Sequence, residues 1–290
     1  MVTVDPAAPL RSFGQVFDGV AEAYDAVRPG YPPELVDVAL ARGGLAAGAR
    51  VVEVGCGTGK LTELLAGRDL EVDAVDPGAN MIEAARRRVG NARHVRFHVA
   101  QFEEIDLPTG AFAALFSATA FHWVDPAVGW LKAASLLGRG GVLALLTHRG
   151  VADGESAELD AEFQQLLRRY APDVADTIPP PLALETILAG VDERRANASA
   201  AWDWLMGERH DLAVPEARHL FADVEVATRV ERIERTADEL SAHFRTTSLY
   251  FRIDPAVRAA FEEEDRRLIE QRGGSISFTS AAVLMTARRV

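Results

Sequence analysis

The chain has 290 residues, 48% of them apolar and 26% charged, with a formal net charge of −12. This is the profile of a globular protein and excludes a disordered or fibrous one, while the negative charge disfavours a nucleic-acid partner, whose phosphates need Lys and Arg to neutralise them. A single cysteine, Cys56, excludes an internal disulfide and any multi-cysteine metal site. The amino terminus has no apolar signal core, and no run reaches the roughly 18 unbroken apolar residues of a membrane span, so we expect a cytoplasmic protein with no membrane partner. The heavy use of Ala, Arg and Val fits a GC-rich bacterial genome.

Residues 13–24 place Phe13 and Phe17, and then Val16, Val20 and Tyr24, at four-residue spacing, which predicts an amphipathic helix. Pro29, Pro32 and Pro33 force a loop after Asp25, and a helix is predicted over 33–42. Residues 51–62, VVEVGCGTGKLT, pass from a β-branched run into glycines and then into helical spacing. They read as a strand, a tight turn and a helix start. Such a turn lets backbone approach a ligand and aims helix N–H groups at it.

Fixed offsets separate the ligand classes. A phosphate-binding P-loop needs glycine where Val54 stands and Ser or Thr where Leu61 stands. The dinucleotide fingerprint would start at Gly55 and Gly57 and then require glycine in place of Lys60. Glu53, two residues before Gly55, would repel a pyrophosphate but suits a ligand carrying an ammonium and a sulfonium. Residues 70–77, LEVDAVDP, predict the next strand, with Asp76 at its end able to accept both hydroxyls of a ribose. Asp76 also reads as a turn residue before Pro77.

The run Glu53-Val54-Gly55-Cys56-Gly57-Thr58-Gly59 resembles the first motif of class I S-adenosylmethionine (SAM)-dependent methyltransferases, and Asp76 strengthens the resemblance. It implies SAM as cofactor, S-adenosylhomocysteine (SAH) as product, no metal, and a Rossmann-like, doubly wound seven-stranded mixed sheet of the α/β class. The implied cofactor contacts are Glu53, Gly55, Cys56, Gly57, Asp76, Pro77, Met81, Gln101, Phe102 and Ala118. Cys56 also reads simply as a small buried turn residue. The Tyr-Asp-x-x-Arg-Pro-x-Tyr-Pro segment resembles the amino-terminal lid of small-molecule methyltransferases, in which Tyr24, Arg28 and Tyr31 cover the cofactor or meet the acceptor. The plain alternative is that the tyrosines pack and Arg28 pairs with an acid.

Further along, Leu61, Leu64 and Leu65 line a short helix that Gly67 ends. A helix over 79–89 turns Met81 and Ile82 inward and leaves Arg86, Arg87 and Arg88 as a solvated face. A strand over 95–102 brings Gln101 and Phe102 to the ligand edge; many relatives carry an acid where Gln101 stands. A fourth strand over 111–120 runs into Phe121-His122-Trp123, and Asp125-Pro126 starts the next helix by capping it. The Ala-Phe-His-Trp-x-Asp run resembles a branch that includes relatives of trans-aconitate methyltransferase. His122 is the candidate general base, the competing reading being a histidine that orders its loop; Trp123 and His148 are candidate acceptor contacts.

The helix over 126–137 ends at Gly138, and Gly140-Gly141 opens a fifth strand through His148. A long helix over 155–170 follows, then a break at Pro179-Pro180-Pro181. Trp202 and Trp204, within 182–210, cannot share a helix face, so one belongs to the core and the other to a partner element or pocket. Residues 224–233 predict the sixth strand, and Thr236-Ala237-Asp238-Glu239 is a capping box for a helix through Phe244. Asp254-Pro255 starts another helix that closes at Gly273-Gly274, and 275–289 form the last strand, antiparallel at or near the sheet edge.

The expected organisation is an amino-terminal helical lid (1–48), a SAM-binding core (49–150), a helical cap inserted after strand five (151–222) and a carboxyl-terminal part of the core with two inserted helices (223–290). The acceptor is expected to be a small molecule held between the lid and the late helices, with Arg245 reaching it or standing as a helix-end polar residue. The molecule is expected to be a monomer or homodimer. A rival reading keeps the scaffold but not the reaction: a SAM- or SAH-binding enzyme of other chemistry, or a binding module, without methyl transfer. An NAD-dependent oxidoreductase lacks both the third glycine and any Tyr-x-x-x-Lys pair.

Overall fold

A computed structural model describes residues 16–154, 156–207 and 211–290. After a 3-10 turn over 16–20 come α1 (Ala21–Val27), α2 (Pro33–Gly43), β1 (Arg50–Val54), α3 (Lys60–Ala66), β2 (Glu71–Asp76), α4 (Ala79–Val89) and β3 (Val95–Val99). They are followed by β4 (Phe112–Ala118), a 3-10 turn (Phe121–Trp123), α5 (Pro126–Leu136) and β5 (Leu137–Val151). Four helices succeed β5: α6 (Ala157–Tyr170), α7 (Pro172–Ala175), α8 (Leu184–Glu193) and α9 (Ala198–Leu205). The chain ends with β6 (Phe221–Thr236), α10 (Ala237–Phe244), α11 (Ser248–Arg252), α12 (Pro255–Glu270) and β7 (Ser275–Arg289).

The strands form one seven-stranded mixed sheet in the order β3-β2-β1-β4-β5-β7-β6, the α/β architecture expected. β1 pairs in parallel with β2 on one side and β4 on the other, β2 with β3, and β4 with β5. Strand order therefore reverses between β1 and β4, and in an open parallel sheet the carboxyl ends at such a reversal form a ligand crevice. Asp73 ties this half of the sheet together from the middle of β2. Its carboxylate, almost wholly buried, meets Arg50 of β1 at 3.0 Å and Arg96 and His98 of β3 at 2.8 and 2.9 Å.

The chain divides into two compact units. One gathers the described residues of Met1–Arg28 with Arg149–Thr186 and Val230–Ala281. Its core packs Leu166, Leu167, Val174, Ile253 and Phe261 with Phe163 and Phe244, and the Phe244 and Phe261 rings stack at 5.3 Å. The other unit gathers Pro29–His148, Ile187–Arg229 and Ala282–Val290, around a core of Val51, Leu61, Leu65, Val72, Ile82, Phe116, Leu146 and Leu284. Residues 151–222 are thus shared, with 149–186 in the first unit and 187–229 in the second.

Several expected boundaries shift. The first helix is a 3-10 turn followed by α1, displaced toward Val27; Arg28, extended because a proline follows it, ends the helix. Phe13 of that expected helix lies outside the described residues, as do Glu155 and His210. β3 stops at Val99, and 101–105 turn back on the Gln101 carbonyl, which accepts from the N–H groups of Glu104 and Ile105. β5 starts directly after α5 rather than at Gly140, with a register irregularity opposite Phe112 to Ala114. β6 is longer than 224–233 at both ends. Arg88 is not part of a solvated face: it donates to the Thr58 carbonyl at 3.1 Å and pairs with Glu63 at 3.2 Å.

Other expectations hold. Asp125 accepts from Ala127 N–H at 3.0 Å as the cap of α5, and the Thr236 and Glu239 capping box starts α10. Trp202 is fully buried, whereas Trp204 packs on α8, donating to the Ile187 carbonyl at 2.9 Å above Gly190. Any side chain at Gly190 would meet that indole, its Cβ lying 2.2 Å from Trp204 Cε2.

Candidate active site

The site grows from the bend after β1. Gly55, Gly57 and Gly59 all have positive φ (69°, 52° and 83°), a region costly for other residues. Each is glycine for a different spatial reason. A Cβ at Gly55 would lie 2.2 Å from Ala120 Cβ, and one at Gly59 would lie 2.9 Å from Ala85 Cα in α4. At Gly57 nothing stands within 4 Å. Two glycines serve packing, and the middle one borders open space.

Asp76, at the end of β2, faces the same bend. Its Oδ2 accepts the Gly57 N–H at 2.9 Å and its Oδ1 the Gly78 N–H at 2.8 Å. Each carboxylate oxygen has two lone pairs, so these bonds fix the carboxylate and leave capacity for ribose hydroxyls. Glu53, expected as a standing negative charge, is buried, 1% exposed. Burial pushes its carboxyl up to about 8, Asp76 adds to the rise and the Thr62 hydroxyl opposes it. Glu53 Oε2, Thr58 Oγ1 and Thr62 Oγ1 are all buried without a well-formed hydrogen-bond partner among the described residues. Buried polar atoms in folded proteins are paired as a rule, so this cluster fits a bend built to complete its bonds with a polar ligand. The buried Cys56 thiol is pushed well up, by burial first and then by Asp76 and Glu53. The local field is negative.

At the end of β4, Ser117 Oγ donates to the Val54 carbonyl at 2.7 Å, joining β4 to β1 just below the glycines. Ala118 is half-buried beside it. Thr119 then adopts φ 52°, a strained conformation for a β-branched residue, and its Oγ1 bonds the Tyr31 hydroxyl at 2.9 Å. Tyr31 stacks on His148 at 5.2 Å, and His148 Nε2 lies 3.0 Å from the Gly30 carbonyl. Because a carbonyl only accepts, Nε2 carries a proton there. His122 is buried in the 3-10 turn with its ring 4.6 Å from that of Trp123. The turn is fixed from behind by Phe121, which packs on Phe102 at 6.4 Å and on buried Trp130 at 5.1 Å.

The remaining expected residues fall as follows. Met81 and Phe102 are buried, and Pro77 and Gln101 are exposed. In the other unit, Arg28 donates to Thr246 Oγ1 at 3.0 Å and to its carbonyl at 2.6 Å, with its guanidinium 5.0 Å from the Tyr24 ring. Arg245 pairs with Glu262 at 2.5 Å. Thr119 and Thr62 were not among the expected residues. No sequence signal announces a positive φ at a threonine or the buried hydroxyl of Thr62. Among the described residues no group of His, Cys, Asp and Glu could hold a metal, and no helix is long and apolar enough to cross a membrane.

Comparison with known proteins adds three findings. Residues 51–141 match the model of a methyltransferase domain. An uncharacterized methyltransferase of Mycobacterium tuberculosis is 33% identical over 177 residues, covering 61% of this chain and 69% of the relative, and a trans-aconitate 2-methyltransferase of Rhodopseudomonas palustris is 31% identical over 149 residues, 49% and 57%. A solved structure from Anaeromyxobacter dehalogenans, proposed there to be a type II methyltransferase, shares the fold with a TM-score of 0.57 at 21% identity, over 90% of this chain and 97% of that one.

Proposed function

Because the chain belongs to the class I SAM-dependent methyltransferases, we propose that it methylates a small molecule presenting a carboxylate, a hydroxyl or an acidic carbon. The observation that carries the cofactor assignment is the open space at Gly57, whose N–H is held by the Asp76 carboxylate, at the sheet's reversal point. Glu53 and Asp76 would hold the cationic and ribose ends, with Gly55, Cys56, Gly57, Pro77, Met81, Gln101, Phe102 and Ala118 around them. When bound, the cofactor supplies a methyl group on a sulfonium, a leaving group that departs without an acid. Positioning is therefore the larger part of the task, contributing roughly 7 to 11 kcal/mol in well-oriented reactions, against about 10² to 10⁴-fold for a general base.

His122 takes the acceptor's proton where the acceptor holds one, and Trp123, Tyr31, His148, Tyr24, Arg28 and Arg245 are proposed to shape acceptor binding. The Rhodopseudomonas relative is named for trans-aconitate, which supports testing small carboxylic acids first. The product of incubating the protein with SAM and a metabolite extract is to be identified by mass spectrometry. With an acceptor that holds its proton on a hydroxyl or an acidic carbon, His122→Ala is expected to lower turnover more than tenfold while SAM affinity stays unchanged, and a smaller loss removes the base assignment; a carboxylate acceptor is already ionised and needs no base. A cytoplasmic location accords with this reading.

The Glu53 carboxyl gives a pH signature. Since its value is raised to about 8, the protein without ligand holds that proton at neutral pH, and a cationic ligand favours the ionised form. Binding then releases a proton. SAM affinity is expected to rise by up to about tenfold per pH unit until pH 8 and then level off. The folded state suffers the opposite trend: a raised carboxyl costs nothing below its unfolded value near 4, and its burial penalty grows as pH climbs toward 8. Calorimetric titration between pH 6 and 9 reads both the affinity and the proton release, and Glu53→Gln is expected to flatten the profile. A flat profile in the unaltered protein contradicts the role given to Glu53.

A further inference from the structure

β6 lies at the end of the sheet order with β7 as its one neighbour, and it runs the sixteen residues Phe221–Thr236. A long edge strand exposes a row of unpaired N–H and C=O groups, which proteins ordinarily protect by covering or by charge. Among the described residues, the backbone of 224–235 makes no backbone–backbone hydrogen bond outside the strand ladder. The left-handed Asp223, φ 53°, marks where regular strand geometry begins. Val230, 42% exposed, is one of the large apolar side chains left on the surface.

Charge along this edge alternates in sign instead of presenting one sign. Residues 225–235 read EVATRVERIER. In an antiparallel pairing of two copies about a two-fold axis at Val230, Arg229 stands opposite Glu231 and Glu225 opposite Arg235, each twice by symmetry. Val226 meets Glu234, Ala227 meets Ile233, and Thr228 meets Arg232, so no like charges face each other from 224 to 236. Moving the axis to residue 229, 231 or 232 sets Arg229, Glu231 or Arg232 against itself, and moving it to Ile233, although it sets Arg232 opposite Glu234 and Glu231 opposite Arg235, pairs only 230–236 because the strand ends at Thr236. Directly opposite like charges destabilise a strand pair and opposite ones stabilise it, so this edge selects its own register. Arg229 and Glu231 are both exposed and have no ion-pair partner among the described residues. Glu225 already pairs with Arg42, so the Arg229 and Glu231 pairs carry the selection.

We propose that the β6 edge is a dimerisation surface, on which a second copy of this chain pairs antiparallel about Val230 and extends the sheet across the two molecules. The surface is independent of the methyltransferase assignment, and its test needs no acceptor. Sedimentation velocity of the full chain at about 100 µM, which populates dimers whose dissociation constant is at or below that value, is expected to give a species of twice the 31.4 kDa chain mass. Arg229→Glu places Glu opposite Glu231 twice and is expected to weaken the dimer at least tenfold. Val230→Lys sets two ammonium groups on the axis and does the same, while the double reversal Arg229→Glu with Glu231→Arg restores dimerisation to within about threefold, since it exchanges the partners' signs. All three positions are exposed, and a single cooperative unfolding transition shows that each variant folds, even where loss of the dimer lowers its midpoint. A monomer in the unaltered protein overturns the proposal, as does a dimer that Arg229→Glu and Val230→Lys leave intact or that the double reversal fails to restore.

Discussion

Gly55→Ala is expected to cripple folding, whereas Gly57→Ala folds and loses its ligand. The two residues are two positions apart, both with positive φ, so each substitution carries the same backbone strain of about 1 to 2 kcal/mol. They differ in what the methyl group meets. At Gly55 the new Cβ would sit 2.2 Å from Ala120 Cβ, and neither atom can rotate away. One of the strand ends must move, adding an overpacking cost of about 1 to 3 kcal/mol. At Gly57 the methyl group enters open space, so the fold absorbs only the strain. That space is where the proposed ligand lies against the backbone, and SAM affinity is expected to fall about a hundredfold, or ~2.7 kcal/mol. Thermal unfolding with calorimetric SAM titration separates the two outcomes. A Gly57→Ala protein that binds SAM as tightly as the parent contradicts the placement of the ligand.

Asp73→Ala is the second large effect, and it is one of stability alone. The carboxylate is buried, and it is the shared partner of Arg50, Arg96 and His98. Breaking a buried pair by removing one partner costs about 3 to 5 kcal/mol. Here the two guanidinium groups keep solvent contact, with side chains 33% and 46% exposed, and water compensates part of the loss, so about 2 to 3 kcal/mol is the expected cost. For a chain of this size the melting temperature should fall by about 3 to 5 °C. Its partners hold the Asp73 carboxyl well below the usual carboxylate range, although burial by itself pushes it up. A depressed carboxyl contributes stability that is fully present above its unfolded value near 4 and is lost as pH falls toward the folded value. The parent protein should therefore lose more stability than the variant on acidification below pH 4. Equal losses in the two proteins mean that the ion cluster adds nothing.

What the residues disclosed and what they concealed divide along the range of the interaction. The glycine bend, the caps at Asp125 and Thr236 and the split roles of Trp202 and Trp204 follow from spacing within one or two turns of chain, and all were legible. The Asp73 cluster was not, because Arg50, Arg96 and His98 reach one carboxylate only once three strands are in register. β3 ended early because 101–105 close on the Gln101 carbonyl, a local turn that the apolar pattern of 95–102 masks. Arg88 looked solvated as one of three consecutive arginines, yet it alone reaches back to the Thr58 carbonyl. Glu53 was legible as an acid beside the bend but not as a buried one. Its burial changes the expectation: the Glu53 carboxyl, pushed up to about 8, holds its proton at neutral pH unless a cationic ligand favours ionisation.

The bend after β1 is expected to bind a cationic sulfur nucleoside and not a pyrophosphate. Calorimetric titration of the full chain with SAM, SAH and NAD tests it directly. One site is expected for SAM and for SAH, with proton release on SAM binding that grows as pH falls below 8, and no heat with NAD. Saturable NAD binding, or the absence of binding by both sulfur nucleosides, contradicts it.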